Sequence, residues 1–423
     1  MNLILKGNIC YNATPQTLRI LEGGYLICEA GISKGAFAEI PEQYANLPVM
    51  DYGERLIIPG LCDIHVHAPQ YAFRGLGMDL ELLDWLNTYT FPEESKYSDL
   101  EYADKAYQFF VDDLKEGATT RAVVFGTIHN PATLLLMEKL EASGLITMVG
   151  KVNMDRNSPD ILIEDSAVKS LADTEAWIRE SMTRFKRTMP ILTPRFTPTC
   201  SDALMDGLGR LQIKYKLPVQ SHLSENHGEI AWVKELCPDA KCYGAAYDRH
   251  GLFGGAGVPT IMAHCVWSAD MEEDLIEKNG VFVGHCPQSN MNLSSGIAPI
   301  RRFMNRGIRV GLGSDVAGGS QTSIFRAMSD AIQVSKLYWR LVEQKDAALT
   351  VPEAFYLGTR GGGSFFGKVG SFDSGYEFDA LVMDDTDILS SKTLSVENRL
   401  ERMIYLAGKD NVHAKYVKGK QVK

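Results

Sequence analysis

Eight short apolar runs recur between residues 57 and 316 of this 423-residue chain. They are residues 57–67, 119–127, 145–152, 189–196, 217–225, 259–266, 280–287 and 308–316. Segments with helical periodicity separate most of these runs, for example 132–142 and 271–278, and a long helix is expected near 322–345. This alternation is typical of a parallel sheet whose strands are joined by crossover helices. Eight such units predict an α/β fold with a TIM-like (β/α)8 barrel.

The two ends of the chain have a different pattern. The first 58 residues alternate apolar and polar side chains between Gly-rich turns, which predicts short antiparallel strands. Strand-like sequence returns after residue 367, for example at residues 378–382. We therefore expect one small β-sandwich domain built from both ends. The predicted division is 1–58 and 367–423 for that domain and 59–366 for the barrel.

Composition narrows the possible partners. The net charge is −10 and no basic run occurs, which argues against nucleic-acid or acidic-membrane binding. No stretch approaches the roughly 18 apolar residues of a membrane span, and the N-terminus does not resemble a signal peptide. The eight cysteines form no Cys-x-x-Cys pair, as expected for thiols of a reducing compartment. We expect a cytoplasmic protein that acts on a small molecule.

If the chain forms such a barrel, its active-site groups should lie at the C-terminal ends of the strands. His65 and His67 end the first run, and residues two apart on a strand point to the same face. Other runs also end in polar residues, namely Arg195, His222, His264, His285 and Asp315. Such a set predicts one divalent metal ion at the mouth of the barrel.

The chemistry assigns roles to these residues. His65, His67 and His222 are predicted nitrogen ligands, and Asp315 is a predicted oxygen ligand and base. An ion held in this way lowers the pKa of a bound water from about 16 towards about 7. His264 is expected either as a further ligand or as a hydrogen-bond donor just outside the coordination shell. Zinc and iron(II) both suit this ligand set.

For two further residues, the sequence leaves two possible roles open. Glu225, three residues past His222, is predicted to shuttle protons at the reacting ring, although a first-turn glutamate favoured by a helix dipole is the alternative. His285 is expected to support the site from its margin, with a direct catalytic role as the alternative.

The motifs that carry these residues resemble the amidohydrolase superfamily, above all residues 59–67 (Pro-Gly-Leu-Cys-Asp-Ile-His-Val-His) and Gly313-Ser314-Asp315. Narrower segments resemble the guanine deaminases of that superfamily: His67-Ala68-Pro69-Gln70-Tyr71, residues 83–92, Thr193-Pro194-Arg195-Phe196, residues 221–226, residues 285–290 and residues 315–319. The resemblance implies hydrolytic deamination of guanine to xanthine and ammonia, zinc as the metal and a homodimer. It also implies that Gln70, Arg195, Phe196 and Glu225 contact the purine, although a structural ion pair at the barrel rim is the alternative for Arg195.

Some alternatives can be weighed on the sequence. Residues 191–197 contain no lysine to bridge two ions, so a single metal is expected. The Pro-Cys-x-x-Cys element of the other zinc deaminase design is absent from the sequence. A related amidohydrolase that deaminates or dechlorinates another heterocycle, of the adenosine, triazine or pterin type, stays open, as does a barrel without catalysis. A lid is expected within residues 80–95.

Overall fold

The computed structural model describes residues 2–255 and 257–423. The strands are β1 (Leu3–Thr14), β2 (Thr17–Glu29), β3 (Ile32–Phe37), β4 (Val49–Pro59), β5 (Leu61–His67), β6 (Thr119–Phe125), β7 (Ile146–Gly150), β8 (Val152–Asn153), β9 (Thr188–Pro190), β10 (Thr193–Pro194), β11 (Val219–Leu223), β12 (Thr260–His264), β13 (Phe282–His285), β14 (Arg309–Leu312), β15 (Ala380–Met383), β16 (Val412–Val417) and β17 (Lys420–Gln421). The α-helices are α1 (Leu82–Trp85), α2 (Phe91–Glu94), α3 (Leu100–Glu116), α4 (Asn130–Ser143), α5 (Ala167–Arg184), α6 (Asp202–Tyr215), α7 (His227–Leu236), α8 (Tyr243–Asp248), α9 (Asp270–Asn279), α10 (Pro287–Asn292), α11 (Ile300–Asn305), α12 (Ile324–Leu341), α13 (Val351–Tyr356) and α14 (Val396–Leu406).

Two four-stranded parallel sheets form the central part of the molecule. Their orders are β5-β6-β7-β9 and β11-β12-β13-β14. Each of these strands overlaps one of the eight predicted runs, and every residue of β6 is buried. Strands covered on both faces read as continuous apolar runs, which is why these segments could be found in the sequence. The predicted α/β class is confirmed, and the fold is TIM-barrel-like.

Backbone contacts also join the two sheets at their ends. Beyond β14, the amide of Asp315 donates to the carbonyl oxygen of His65 at 2.9 Å, and the amide of His67 donates to that of Val316 at 3.2 Å. On the other side, Leu192 forms a parallel bridge with Val219. The last of the eight strands therefore leads directly to the end of the first, where the paired histidines lie.

Both ends of the chain form one seven-stranded sheet, ordered β17-β16-β15-β4-β1-β2-β3. Hydrogen bonding is continuous through this sheet, because β4 pairs with β1 on one side and with β15 on the other, and the expected β-sandwich stays a prediction. The β1–β4 pairing is parallel, whereas antiparallel strands were expected. One face of this sheet carries its own apolar cluster, which includes Leu5, Ile9, Leu26, Phe378 and Tyr416.

The helices follow the predicted periodicity. The expected helical segments 132–142, 271–278 and 322–345 correspond to α4, α9 and α12. Two long helices begin at capping residues: the Asp99 carboxylate accepts from first-turn amides of α3, and the Ser323 hydroxyl accepts from a first-turn amide of α12. Among the described residues, no helix is both long enough and apolar enough to span a membrane.

Candidate active site

Four of the predicted metal ligands converge at the C-terminal ends of the strands. The Nε2 atom of His67 lies 3.3 Å from that of His65 and 3.2 Å from that of His222. The Oδ1 atom of Asp315 lies 3.1 Å from His65 Nε2 and 3.4 Å from His67 Nε2. Residues that are up to 250 positions apart (Asp315 − His65) thus present their donor atoms to one point.

The donor set fits a single divalent cation. Burial lowers the pKa of His65, His67 and His222, so that these imidazoles are neutral. His222 Nδ1 lies 2.6 Å from the carbonyl oxygen of Arg195, so it carries the proton and the Nε2 lone pair faces the cluster. Burial alone would raise the pKa of Asp315, but the imidazoles, with His65 first, hold it well below its usual value. Neutral nitrogen lone pairs and a carboxylate around one point are a ligand set of zinc and related ions.

His264 enters the same site through an unusual backbone conformation. It ends β12 with a φ of 75°, and Cys265 follows with a φ of 47°. Its Nε2 atom lies 3.3 Å from Glu225 Oε2 and 3.7 Å from Asp315 Oδ2, while Nδ1 lies 2.9 Å from Asn290 Oδ1. A ring nitrogen of His264 also lies within 4.8 Å of those of His65 and His222. This position is compatible with both roles predicted for it.

Glu225 turns into the site just after β11. The preceding Ser224 has a φ of 46°, and the Glu225 side chain is buried. Its amide donates to Glu229 Oε2 at 3.0 Å, and its Oε1 accepts from the Ser295 hydroxyl at 3.1 Å. Burial raises the pKa of Glu225 to about 7, against the opposing effect of His264. Helix α7 begins only at His227 and is capped by Asn226, so Glu225 is not a first-turn helical residue.

A cavity opens beside this cluster and encloses about 430 Å³, including its mouth. The lining combines the polar cluster with apolar residues: His67, Gln70, Leu82, Trp85, Leu86, Arg195, Phe196, His222, Glu225, Glu229, His264, Leu293 and Asp315. Leu82, Trp85 and Leu86 come from the predicted lid segment, which contains α1, a π-helical turn (Leu86–Thr90) and α2. The cavity therefore has a hydrogen-bonding wall and an apolar cover.

The expected purine-contacting residues share this cavity. Gln70 lies in a short 3₁₀ helix directly after β5, and Arg195 and Phe196 follow β10. The Arg195 guanidinium forms a buried ion pair with Glu94, with Nη2 3.1 Å from Glu94 Oε1. The Gln70 side-chain amide donates to the same oxygen at 2.9 Å.

Two carboxylates of this region, Glu94 and Glu229, are not predictable from the sequence. Glu229 lines the cavity and accepts a hydrogen bond from Tyr243 at 2.7 Å. Glu94 lies two residues beyond Pro92, just after the segment 83–92 that resembles guanine deaminases. That position is its one sequence signal, since a carboxylate is buried only through tertiary contacts that leave no local pattern.

His285 does not line the cavity. Phe282 of the same strand belongs to an interior apolar cluster with Ile64 and Ile261, and a residue three positions later on a strand faces the opposite side. Neither ring nitrogen of His285 has a hydrogen-bond partner among the described residues, and burial lowers its pKa to about 3. A supporting role at the margin of the site stays a prediction.

Comparison with known proteins shows the family to which the chain belongs. The Amidohydrolase family matches residues 56–422. Guanine deaminase of Dictyostelium discoideum is 39% identical over 385 residues, covering 89% of this chain and 84% of its own, and guanine deaminase of Escherichia coli K12 is 34% identical over 418 residues, covering 96% and 92%. The crystal structure of guanine deaminase from C. acetobutylicum, with guanine bound in its active site, is 46% identical with a TM-score of 0.97 and 100% coverage of both chains. The chain described here is a member of the amidohydrolase family.

Proposed function

We propose that this protein is a guanine deaminase, which hydrolyses guanine to xanthine and ammonia. The observation that carries the proposal is the shared cavity, in which Glu225 and the metal-ligand cluster lie beside Gln70 and Arg195. The relative with bound guanine supports it, since it matches the chain over its full length.

One divalent cation, zinc, is the proposed cofactor. His65, His67, His222 and Asp315 would hold it, and His264 would either complete the ligand set or donate a hydrogen bond beside it. When bound, the ion polarises a water molecule and lowers its pKa, which makes the water nucleophilic near neutral pH.

Three side chains orient the purine. Phe196 packs its ring against the flat heterocycle, and Gln70 offers an amide donor and acceptor to one ring edge. Arg195 donates to the ring carbonyl of guanine. A purine without that carbonyl leaves a buried guanidinium without its partner, which is a strong basis for discrimination.

Asp315 and Glu225 transfer the protons, and His264 assists them. Asp315 accepts a proton from the attacking water, and Glu225 protonates the ring nitrogen next to the carbon under attack. His264 Nε2, between Glu225 and Asp315 at 3.3 and 3.7 Å, holds the attacking oxygen. The proton taken from water reaches the exocyclic amine through Asp315 or Glu225, and the C–N bond breaks to release ammonia. The hydroxyl proton left on the ring carbon then returns to Glu225 as the new carbonyl forms.

We also propose that the eight parallel strands close into a barrel and that the chain divides at residues 58 and 366. The contacts of Asp315 and His67 at one junction and the Leu192–Val219 bridge at the other support closure. The terminal sheet, formed by strands within 3–59 and 380–421, supports the division. The homodimer and the cytoplasmic location stay predictions, and gel filtration tests the first.

A panel of purines and pyrimidines assayed for ammonia release tests the proposed activity, together with elemental analysis of the purified protein. We expect guanine to be the preferred substrate and one zinc ion per chain. An Arg195→Ala variant should lose guanine turnover selectively. Preference for an adenosine, triazine or pterin compound, or full activity without metal, would contradict the proposal.

A further inference from the structure

Glu94 connects the two polar residues expected to read the purine. Its Oε1 accepts hydrogen bonds from the Gln70 amide nitrogen at 2.9 Å and from Arg195 Nη2 at 3.1 Å. Its Oε2 accepts from Arg195 Nη1. Glu94 is 2% exposed and is not among the residues that line the cavity, so it lies behind Gln70 and Arg195.

These bonds fix the orientation of the Gln70 amide. A carboxylate only accepts hydrogen bonds, so the group facing Glu94 is the NH₂ end of Gln70. The opposite end is held as well, because the amide of Ala317 donates to Gln70 Oε1 at 3.1 Å. The Gln70 amide therefore has one orientation, which fixes the positions of the donor and the acceptor that it presents to the cavity.

The same carboxylate compensates the charge of Arg195. Arg195 is 3% exposed and lines the cavity together with His67, which belongs to the proposed cation site. A buried guanidinium without a counter-ion carries a large desolvation penalty and would repel a divalent ion nearby. The two-point contact with Glu94 also occupies one edge of the guanidinium, so that only its remaining N–H groups are available to another partner.

We infer that Glu94 is a positioning residue that sets the purine specificity of the site by holding Gln70 and Arg195 in one geometry. The inference rests on the proposed function and deepens it. Glu94 itself makes no contact with substrate. Its effect reaches the purine through the two side chains that it orients.

The first test is the kinetics of Glu94→Gln on guanine. The amide removes the negative charge and places a donor opposite an Arg195 donor, so kcat/KM should fall on the order of 10²-fold. The KM should rise more than kcat falls, because the two oriented residues bind the ring rather than the reacting carbon. Glu93→Gln is the matched control, since Glu93 is also buried but bonds Lys96 and Tyr102 instead.

The second test separates positioning from a general structural defect. Competitive inhibition is measured with hypoxanthine, which has the ring carbonyl, and with unsubstituted purine, which lacks it. The ratio of the two inhibition constants should shrink about tenfold in Glu94→Gln, because Arg195 no longer discriminates on the carbonyl. A structural defect would weaken both inhibitors equally. In an Arg195→Ala background, Glu94→Gln should add less than about threefold, since the two residues act as a unit.

Thermal unfolding and metal content are measured for every variant. Should Glu94→Gln not fold, Glu94→Asp keeps the charge on a shorter side chain and should show the same changes at reduced size. The inference is overturned by equal effects of Glu94→Gln and Glu93→Gln, by an unchanged inhibitor ratio, or by full additivity with Arg195→Ala. A wild-type protein that releases no ammonia from guanine would instead refute the proposed function.

Discussion

Replacing Lys415 by methionine removes a buried link between the terminal sheet and the central part of the molecule. Lys415 lies in β16 and is fully buried. Its ammonium donates to the carbonyl oxygens of Leu114, Lys115 and Thr119 at 2.9, 2.8 and 3.0 Å. The first two are last-turn carbonyls of α3, which have no partner within the helix. Methionine keeps most of the side-chain length and removes the three donors.

The magnitude follows from these contacts. Hydrogen bonds from a charged donor contribute about 1.5–3 kcal/mol each, or about 4.5–9 kcal/mol for three. Burial opposes the ammonium form and lowers the pKa of Lys415 to about 7, so the net loss is smaller than this sum. We expect the free energy of unfolding to fall by about 3–5 kcal/mol. With an unfolding entropy of about 2.1 cal/mol/K per residue, 423 residues give about 0.9 kcal/mol/K and a decrease in Tm of about 3–6 °C.

Differential scanning calorimetry measures this change. Lys420→Met is the matched control, because Lys420 is exposed in the adjacent strand β17, and its Tm should stay within about 1 °C of the wild type. A Lys415→Met protein as stable as this control would refute the reasoning. It would mean that the three carbonyl groups find water or other donors at no cost.

Three further predictions concern the site and the stability of the fold. Glu225→Gln should lower guanine turnover about 10²–10⁴-fold in an ammonia assay while the zinc content stays unchanged; near-normal turnover would exclude the proton-shuttle role. Removing the metal with a chelator should abolish ammonia release and lower the Tm, since an ion present at 100 times its Kd stabilises the folded state by about 2.7 kcal/mol, and added zinc should restore both. Burial alone would raise the pKa of Glu353, but hydrogen bonds from Arg301 lower it. Glu353 therefore stabilises the fold above its unfolded pKa of about 4.3, and the Tm difference between wild type and Glu353→Gln should shrink as the pH falls from 7 to 3.

The central strands and much of the site were predictable for one physical reason. A strand buried on both faces needs a continuous apolar run, and a parallel barrel places the polar residues that end such runs at one mouth. His65, His222 and Asp315 were found in this way, and the structure brings them together. This prediction rests on the strand ends alone and does not depend on the conformation of the loops between the strands.

Other features depend on contacts between distant segments and have no local pattern. The single terminal sheet arises because β4 pairs with strands from both ends of the chain, which alternation of apolar residues does not encode. The burial of Glu94 depends on Gln70 and Arg195, which lie 24 and 101 positions away in the sequence. A charged residue two positions after Pro92 reads as exposed until its partners are known.

His264 was placed at the site by its position at a strand end, but an ideal strand would not direct its side chain into the cavity. Ile261 of the same strand faces the interior apolar cluster, so an ideal strand would point a residue three positions later away from the cavity. The positive φ angles of His264 and Cys265 turn the imidazole inward instead. Of nine non-glycine residues with positive φ in the described chain, four lie at this site, at Ser224, His264, Cys265 and Asp315. Such conformations cost about 1–3 kcal/mol each and persist only where surrounding contacts hold them. These strained residues are concentrated at the strand ends, where they bring the side chains of the site together. A prediction based on ideal strands contains no such strain, so it cannot give these side-chain directions.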